Sequence, residues 1–408
     1  MSDRMEEKEK TYFKGASIYW IFCIVLCLIS IVEVFSATSR MTFGGEQNYL
    51  RPVIRHVAHL CVGFTCLYVV HRVPYRFFRL VPYVLLPLSA LALGYLLFKS
   101  MTTGVTDRWI ALPFISIQPS EFAKMGVITA VAWMLSKLDV DDAMSQLQTF
   151  WRIIALSGIF ILMIMPENLS TALLLTIVVL AMMYVGQIRR KYMFRLIGVG
   201  MLAGGLMLAI MLLVPPSKIA DSPLPSRFVT WQARVLDFTD KSDKSTPLDY
   251  VRNVARDKPQ ETHANIAIAS SNIFGKGPGN SVERDFLQEA SCDFIYAIII
   301  EELGLVGALC VLGIYLWLLL KTGGIATKCG KNRFARYMAM GIVLQITLQA
   351  FINMAVAVGL IPVTGQPLPL ISTGGTSIIV TCAYMGMLIS ISWSGVESQA
   401  TEDISVDE

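Results

Sequence analysis

The sequence predicts an all-α, polytopic integral membrane protein with about ten transmembrane helices and one large extracytoplasmic loop. Hydrophobic residues make up 54% of its 408 positions and charged residues only 16%, whereas soluble domains carry about 25% charged residues. Apolar runs of about 20 residues, the length that a bilayer core requires, recur along almost the whole chain. A soluble protein with very large buried helices is the alternative, but residues 192–214 contain a single charged side chain, Arg195.

The apolar runs divide the chain into five segments. We expect a cytoplasmic N-terminal segment (1–16), seven helices (17–214), the large extracytoplasmic loop (215–291), three further helices (292–393) and a disordered, acidic cytoplasmic tail (394–408). The first span follows charged residues and is long enough to cross a bilayer, so it does not read as a cleavable signal peptide. The predicted spans are 17–36, 53–71, 80–98, 118–136, 151–165, 168–186, 192–214, 292–320, 337–358 and 369–393.

Basic residues predict the orientation. With ten spans, eighteen Lys and Arg fall in the segments on the side of the N-terminus and five in the short loops of the other side. Short loops rich in Lys and Arg stay in the cytoplasm. Both termini are therefore expected in the cytoplasm and the 215–291 loop outside.

Several classes of function are disfavoured by the remaining composition. The eight Cys form neither a CxxC pair nor the spacing of a disulfide framework. The four His make no metal-ligand spacing, and no Walker motif is present. The net charge of +4 comes without a basic, aromatic-interleaved surface, so we expect no nucleic-acid partner.

Acidic residues after the long loop are the strongest candidates for chemistry. Asp293 lies at the mouth of the eighth span, with Glu301 and Glu302 deeper in it. On a continuous helix Asp293 and Glu301 would share a broad face, about 80° and about 12 Å apart. Because intramembrane carboxylates are costly and usually functional, we predict Asp293 as a general base, with an ordinary helix N-cap as the alternative. Glu301 and Glu302 are expected to be structural, in buried hydrogen bonds or in pairs with residues such as Lys124.

Two further segments contain polar residues near the outer ends of spans. Lys124 lies inside a predicted span, one turn after Ser120 and Glu121. We expect it to line a polar cavity that opens outward, and an intrahelical pair with Glu121 is the alternative. Arg108 could hold a phosphate bidentately beside Trp109, and a plain interfacial loop is the competing interpretation.

Glycine-rich stretches mark two more candidate contacts. Residues 275–281 allow the backbone to turn sharply or to approach a ligand closely, and residues 359–377 predict a broken helix whose N–H groups could receive an anion. A packing kink is equally compatible with the second stretch. Arg227 and Arg234 of the long loop either meet an acidic substrate or are simply solvated. The candidates from the two glycine-rich stretches are Lys276, Asn280, Ser281, Ser372, Gly374 and Gly375.

Together these segments resemble the SEDS family of shape, elongation, division and sporulation proteins (FtsW, RodA and SpoVE), and its FtsW members more than its RodA members. The resemblance extends from the first span to Gly386 and rests on the number and order of short motifs. They are Arg108-Trp109, 118–124 (QPSEFAK), Arg227 and Arg234, 275–281 (GKGPGNS), 289–297 (EASCDFIYA), 301–304 (EELG) and 370–377 (LISTGGTS). The chain departs from the family pattern at Ser291 and Cys292 (usually His-Thr), Asn168 (usually Asp) and His263 (often Gln).

The resemblance implies a peptidoglycan glycosyltransferase in the bacterial cytoplasmic (inner) membrane. Its substrate would be lipid II, the undecaprenyl-pyrophosphoryl disaccharide-pentapeptide, polymerised into glycan strands at the outer face, and a class B penicillin-binding protein (FtsI-like) would cross-link the strands. Inversion at the sugar needs one base, Asp293, and positive charge near the pyrophosphate from Lys124, Arg108, Arg227 or Arg234. Glu289 belongs to the motif around the base. A divalent cation, Mg²⁺ or Mn²⁺, is left open as a cofactor.

Other functions remain open at this point. The family resemblance fits cell division best, with cell elongation as the alternative. A transporter that flips lipid II would move substrate without making polymer and would tolerate Asp293→Asn. A scaffold that only recruits a synthase would be insensitive to charge changes at Lys124 and Asp293.

Overall fold

The structure is a computed structural model that describes residues 17–38, 50–103, 107–111, 116–213, 232, 259–287, 291–329 and 332–406. Most of the 215–291 loop, including Arg227 and Arg234, and also Glu289, lies outside these residues. The helices are α1 (Ser17–Thr38), α2 (Leu50–Arg72), α3 (Val81–Thr103), α4 (Pro119–Ser136), α5 (Ala143–Ile164), α6 (Leu169–Val185), α7 (Arg190–Leu213), α8 (Pro259–Ser270), α9 (Ile295–Lys328), α10 (Arg333–Ala357) and α11 (Gly375–Val406).

The fold class predicted from the sequence is confirmed, since the described chain is a bundle of long apolar helices. Each of the ten predicted spans coincides with one helix, α1 to α7 and α9 to α11. By length and composition, eight of the described helices can cross a membrane, and α6 is a shorter apolar helix. The helix α4 contains the Glu121 and Lys124 charges and is buried almost throughout. The only described strands are the two-residue pair β1 (Ile110–Ala111) and β2 (Ser116–Ile117), which are antiparallel.

Three boundaries differ from the predicted spans for identifiable reasons. The helix α9 begins at Ile295 and is interrupted at Gly304, which has φ 71° and ψ −170°. The last span begins at Gly375, because residues 358–374 form an irregular segment with positive φ at Gly365 and Leu370. The helix α11 continues to Val406, through the tail predicted as disordered, because extending an existing helix adds one hydrogen bond per residue without a new nucleus.

The helix ends collect at two faces of the bundle. At one end, which we call the site face, the segment before α9 meets the segment before α11, where the N–H of Thr373 donates to the carbonyl of Ser291 at 2.9 Å. The first residues of α4 reach the same place, since the N–H of Gln118 donates to Oγ1 of Thr376 at 3.3 Å. Asp293 therefore lies at an end of the bundle.

The opposite face is defined by contacts between the other helix ends. These hydrogen bonds join Arg333 Nη1 to the carbonyl of Leu138 (2.8 Å), Ser390 Oγ to the carbonyl of Val73 (2.7 Å) and Tyr19 Oη to Oγ1 of Thr322 (3.1 Å). Tyr19 is near the start of α1 and Ser390 is in the last packed turns of α11. The first described helix and the packed part of the last one thus begin and end at the face away from Asp293.

Two glycines allow the break in α9. The loop of residues 275–282, which we call the glycine loop, packs directly on the backbone at Gly304. A Cβ on Gly275 (φ +72°) would lie 2.2 Å from the carbonyl oxygen of Glu302, and one on Gly304 (φ +71°) would lie 2.3 Å from the nitrogen of Gly275. Such distances to backbone atoms leave no room for a side chain, and both glycines have the positive φ that other residues adopt only at a cost.

We expect Gly275→Ala and Gly304→Ala each to destabilise the protein by about 2 kcal/mol or more, because strained φ alone costs about 1–3 kcal/mol and the backbone clash adds to it. Thermal unfolding of the purified protein, followed by size-exclusion chromatography, measures the effect. The matched control is Gly313→Ala in α9, where nothing lies within 4 Å of the added carbon. Equal unfolding temperatures for all three variants would contradict the close-approach argument.

Candidate active site

The turn that carries Asp293, residues 291–294, is held through its main chain. Its carbonyl oxygens at three successive residues each accept a hydrogen bond from the far end of the sequence. The donors are the N–H of Thr373 to Ser291 (2.9 Å), the hydroxyl of Ser372 to Cys292 (2.7 Å) and Nδ2 of Asn353 to Asp293 (3.1 Å). Main-chain bonds of this kind fix the position from which the Asp293 side chain extends without engaging its carboxylate.

This arrangement explains how the chain accommodates Ser291 and Cys292. Both residues contribute carbonyl groups, which every residue type possesses. The Cys292 sulfur also lies 3.0 Å from Oγ1 of Thr373, and the Ser291 hydroxyl lies 3.1 Å from the same oxygen. The departure from the family pattern therefore leaves the attachment of the turn intact.

Asp293 lies outside the helix α9, contrary to the position predicted from the sequence. The helix begins at Ile295, its N-cap is Phe294, and no side chain caps it. Asp293 is thus neither the N-cap nor part of a continuous helix with Glu301, and the shared helical face computed from the sequence does not exist. The carboxylate, half-buried, lies in a turn before the helix.

Arg108 is a cationic residue that lies close to this turn. A Cβ built on Gly365 would lie 2.5 Å from Nη1 of Arg108 and 3.8 Å from Oδ2 of Asp293. The guanidinium and the carboxylate therefore border one small space that only a glycine leaves open. Nε of Arg108 donates to the carbonyl of Glu167 at 3.1 Å, which holds the guanidinium from the side of α6. Trp109 follows with 40% of its surface exposed.

The irregular segment 358–374 is buried where it passes the site, and its carbonyl groups need donors because lipid offers none. Side-chain amides of α10 supply them. Asn353 Nδ2 donates to the carbonyl of Gln366 at 2.8 Å, and Gln349 Nε2 donates to that of Pro367 at 3.0 Å. The broken helix predicted here is present, and hydrogen bonds to other parts of the chain stabilise it.

Sequence reasoning did not assign Gln345 and Gln349 to the site. Gln345, Gln349 and Asn353 are spaced four residues apart, so they line one side of α10. All three are at most 4% exposed. A polar stripe inside an otherwise apolar span is costly unless it has partners, and this signal was available in the sequence.

Lys124 is fully buried, at 0% exposure, and its ammonium donates to Oε1 of Glu121 at 2.8 Å and to Oε1 of Gln349 at 3.2 Å. This is the intrahelical pair that the sequence left as the alternative. The expected cavity opening outward at Lys124 is not what the structure contains, because Ser120 and Glu121 are also at most 3% exposed. Among the described residues, Gln349 connects Lys124 to the site, because Gln349 also donates to the carbonyl of Pro367.

The second acidic cluster is formed by Glu301 and Glu302, both at 0% exposure. The break at Gly304 leaves their carbonyl groups without helical partners, and the glycine loop provides them. The N–H of Lys276 donates to the carbonyl of Glu301 at 3.0 Å, and the N–H of Gly277 donates to that of Glu302 at 2.8 Å. The loop therefore replaces the missing helical hydrogen bonds.

The two side chains are enclosed by the same loop. Glu301 accepts from Nζ of Lys276 at 2.6 Å, from the N–H of Val282 at 3.1 Å and from the hydroxyl of Ser281. Glu302 accepts from the N–H of Gly279 at 2.9 Å and from the hydroxyl of Ser36 in α1, while Arg284 lies 3.9 Å away. Two anionic groups thus face two cationic groups, in a site dense with N–H donors.

Several predicted substrate contacts are engaged elsewhere. The cation beside Glu301 is Lys276 and not Lys124, and Asn280 donates to the carbonyl of Lys276 at 3.0 Å. The Ser281 and Ser372 side chains are at most 4% exposed. Gly374 and Gly375 lie at the start of α11, where a Cβ on Gly375 would lie 2.8 Å from Nε2 of His59. Substrate contacts by these residues remain predictions.

The sequence leaves a divalent cation open as a cofactor. Within the part of the chain that the structure describes, no three His, Cys, Asp or Glu side chains converge in a way that could hold a metal ion. A divalent cation stays a prediction of the sequence, and no step of the proposed reaction passes through one.

The fold and the site define a multi-pass membrane protein that has an acidic turn beside an arginine at one face of the helical bundle. The profile of the FtsW/RodA/SpoVE family, described as "Cell cycle protein", matches residues 16–396, and the chain belongs to this family. Among its relatives, a "Probable peptidoglycan glycosyltransferase FtsW" of Thioalkalivibrio sulfidiphilus is 31% identical over 94% of this chain and 90% of that protein. A protein of the same name from Pseudomonas fluorescens is 28% identical over 95% and 90%.

Solved structures agree on the fold. The crystal structure of the rod shape determining protein RodA of Thermus thermophilus superposes with a TM-score of 0.62 at 20% identity, covering 94% of this chain and 98% of that one. A structure described as a peptidoglycan synthase complex that coordinates polymerization and crosslinking gives a TM-score of 0.66 at 21% identity, covering 93% and 98%.

We expect Lys276→Met to destabilise the protein by about 3 kcal/mol, because it leaves a buried carboxylate without its cation. Because the Lys276 side chain is partly exposed, solvent screens the pair, and the expected loss of stability is smaller than for a fully buried ion pair. Adding Glu301→Gln to Lys276→Met should recover part of the loss, since the unpaired charge disappears. Thermal unfolding of the single and double variants measures both effects, with Lys191→Met, an exposed lysine, as the control. A double variant as unstable as Lys276→Met would show that the charge pair is not the cause.

Proposed function

We propose that this protein is a peptidoglycan glycosyltransferase that polymerises lipid II, with Asp293 as its general base. The observation that carries the proposal is the Asp293 carboxylate and the Arg108 guanidinium bordering one space beside Gly365. A base and a cation at adjacent positions suit a displacement in which one oxygen loses a proton and another gains negative charge. The family and its relatives named as peptidoglycan glycosyltransferases supply the substrate class.

In the proposed reaction, the carboxylate of Asp293 accepts the proton of the acceptor sugar hydroxyl. The hydroxyl oxygen then bonds to the anomeric carbon of the donor while the bond from that carbon to the undecaprenyl pyrophosphate breaks. Because one displacement inverts the anomeric centre, a single base is sufficient and no covalent enzyme intermediate forms. Arg108 compensates the charge that develops on the departing pyrophosphate.

We place the reaction at the outer face of the bacterial cytoplasmic membrane, with both termini in the cytoplasm. The distribution of basic residues supports this orientation. It is consistent with the contacts of the described helices, because α1 begins and the packed part of α11 ends at the face opposite to Asp293. A lipid-anchored donor in the outer leaflet would carry its pyrophosphate to the level of the site face.

The partner we propose is a class B penicillin-binding protein (FtsI-like) that cross-links the strands, and the process is cell division. The relatives named FtsW support division. The similarity to a peptidoglycan synthase complex supports a partner of this kind. Because the fold is shared with RodA, the fold does not distinguish division from elongation, and depletion followed by microscopy of cell shape does.

Asp293→Asn is expected to lower the rate of lipid II polymerisation by about 100-fold to 10,000-fold, because an amide cannot accept the proton. The measurement is a gel-based assay with purified lipid II, with and without a co-purified class B penicillin-binding protein. The matched control is Asp285→Asn, whose side chain is 45% exposed. Undiminished polymerisation by correctly folded Asp293→Asn protein would rule out Asp293 as the base, whereas a wild-type protein that makes no polymer would favour transport or scaffolding.

Arg108→Gln is expected to reduce kcat by about 100-fold, the scale for removing one preorganised charge donor at a leaving group. Arg108→Lys should restore part of the rate, because it keeps the charge but loses the planar fork. Comparison of kcat and KM separates the roles, since an arginine that only binds the ground state would raise KM alone. A change confined to KM would contradict the proposed part of Arg108 in bond cleavage.

A further inference from the structure

A cavity lies at the opposite face of the bundle, remote from Asp293. It is formed by the start of α3, the end of α4 and the start of α5, and has a volume of about 410 Å³. That size lies within the range of small-molecule sites, about 300–1,000 Å³. The 18 residues of α4, at about 1.5 Å per residue, separate it from the site face, so it belongs to neither of the acidic clusters described above.

The lining of the cavity combines hydrogen-bond donors with apolar surface. Lys137 and Arg152 contribute the two cationic groups, and the largely buried Thr149 contributes a hydroxyl. The apolar walls are Trp133 on the bundle side and Tyr83 on the membrane side, where Tyr83 is 69% exposed. Tyr and Trp residues are typical of the membrane–water interface.

The two cationic groups are available to a ligand. The Lys137 ammonium lies 4.3 Å from the centre of the Trp133 ring, a cation–π contact that holds it at the cavity wall. In the described residues, no carboxylate lies within ion-pair distance of Lys137 or Arg152. Cationic side chains arranged around a polar cavity without counter-ions are suited to an anionic ligand.

One acidic residue, Asp142, also lines the cavity, but its carboxylate is occupied. Its two oxygens accept the N–H groups of Met144 at 3.0 Å and Ser145 at 2.8 Å, as the N-cap of α5. These bonds lower the pKa of Asp142, so it stays charged and turned toward the helix. Asp139 and Asp141 belong to the same connecting segment but do not line the cavity.

We propose that this cavity binds the phosphate headgroup of an anionic phospholipid. Lys137 and Arg152 contact the phosphate, Thr149 donates a further hydrogen bond, and the acyl chains extend along the exposed side chains of Tyr83 and Met144. A basic pocket between transmembrane helices, with an apolar wall open to the membrane, is the general form of such sites. A lipid held there joins the ends of α3, α4 and α5 at the face opposite to the candidate active site.

The test is native mass spectrometry of the full-length protein titrated with phosphatidylglycerol and, separately, with phosphatidylcholine. The wild-type protein should retain phosphatidylglycerol in preference. The double variant Lys137→Gln/Arg152→Gln should bind it about thirty-fold more weakly, the scale for two basic residues near a membrane surface. The matched control is Lys191→Gln/Arg195→Gln, which removes two exposed basic residues of α7 that do not line the cavity.

Three outcomes would overturn the proposal. An equal loss in the control would show a general effect of surface charge. Equal retention of both lipids by the wild-type protein would show that the headgroup charge is not recognised. Displacement of phosphatidylglycerol by an equal concentration of inorganic phosphate would assign the cavity to a soluble anion. All three measurements are independent of polymerase activity, so they stand whether or not the proposed function holds.

Discussion

The structure around the candidate site depends on the attachment of the glycine loop to Glu301 and Glu302. Two buried carboxylates inside a membrane protein are tolerable only with partners, and the loop supplies N–H donors, hydroxyl groups and the Lys276 ammonium. The same loop binds the two carbonyl groups that the break at Gly304 leaves without helical partners. Since residues 276–282 precede Asp293 and residues 301–302 follow it, the attachment closes the chain into a ring that contains the acidic turn.

The second support of the site comes from the other side of that ring. Main-chain carbonyls of residues 291–293 receive hydrogen bonds from Thr373, Ser372 and Asn353. The segment that supplies two of these donors is itself held by amides of α10. The Asp293 carboxylate is therefore positioned by backbone contacts in both directions, which leaves its side chain and that of Arg108 to face the space beside Gly365.

Composition and the recurring apolar runs were sufficient to predict the helical membrane fold, because a bilayer imposes the same length and polarity on every span. Asp293 and Arg108 were recognised from unusual charge near span ends and from motif order. What the sequence could not provide were the partners. Lys124 looked like a cavity residue because helical spacing cannot tell whether Gln349 covers it, and Ser372 looked like a substrate contact because its acceptor, the carbonyl of Cys292, is distant in sequence. The predicted helical face shared by Asp293 and Glu301 is absent because the helix begins only at Ile295, after Asp293.

The closed ring of residues 276–302 has a consequence for how this chain can diverge. A change in the sequence before Pro259 leaves the hydrogen bonds between the glycine loop and Glu301 and Glu302 in place. In sequence, the segment before Pro259 lies outside this ring, whereas α8 contacts the ring through His263, whose Nδ1 lies 2.7 Å from Oε2 of Glu283. Evolution can remodel that segment for new partners while the position of the catalytic candidate is inherited unchanged.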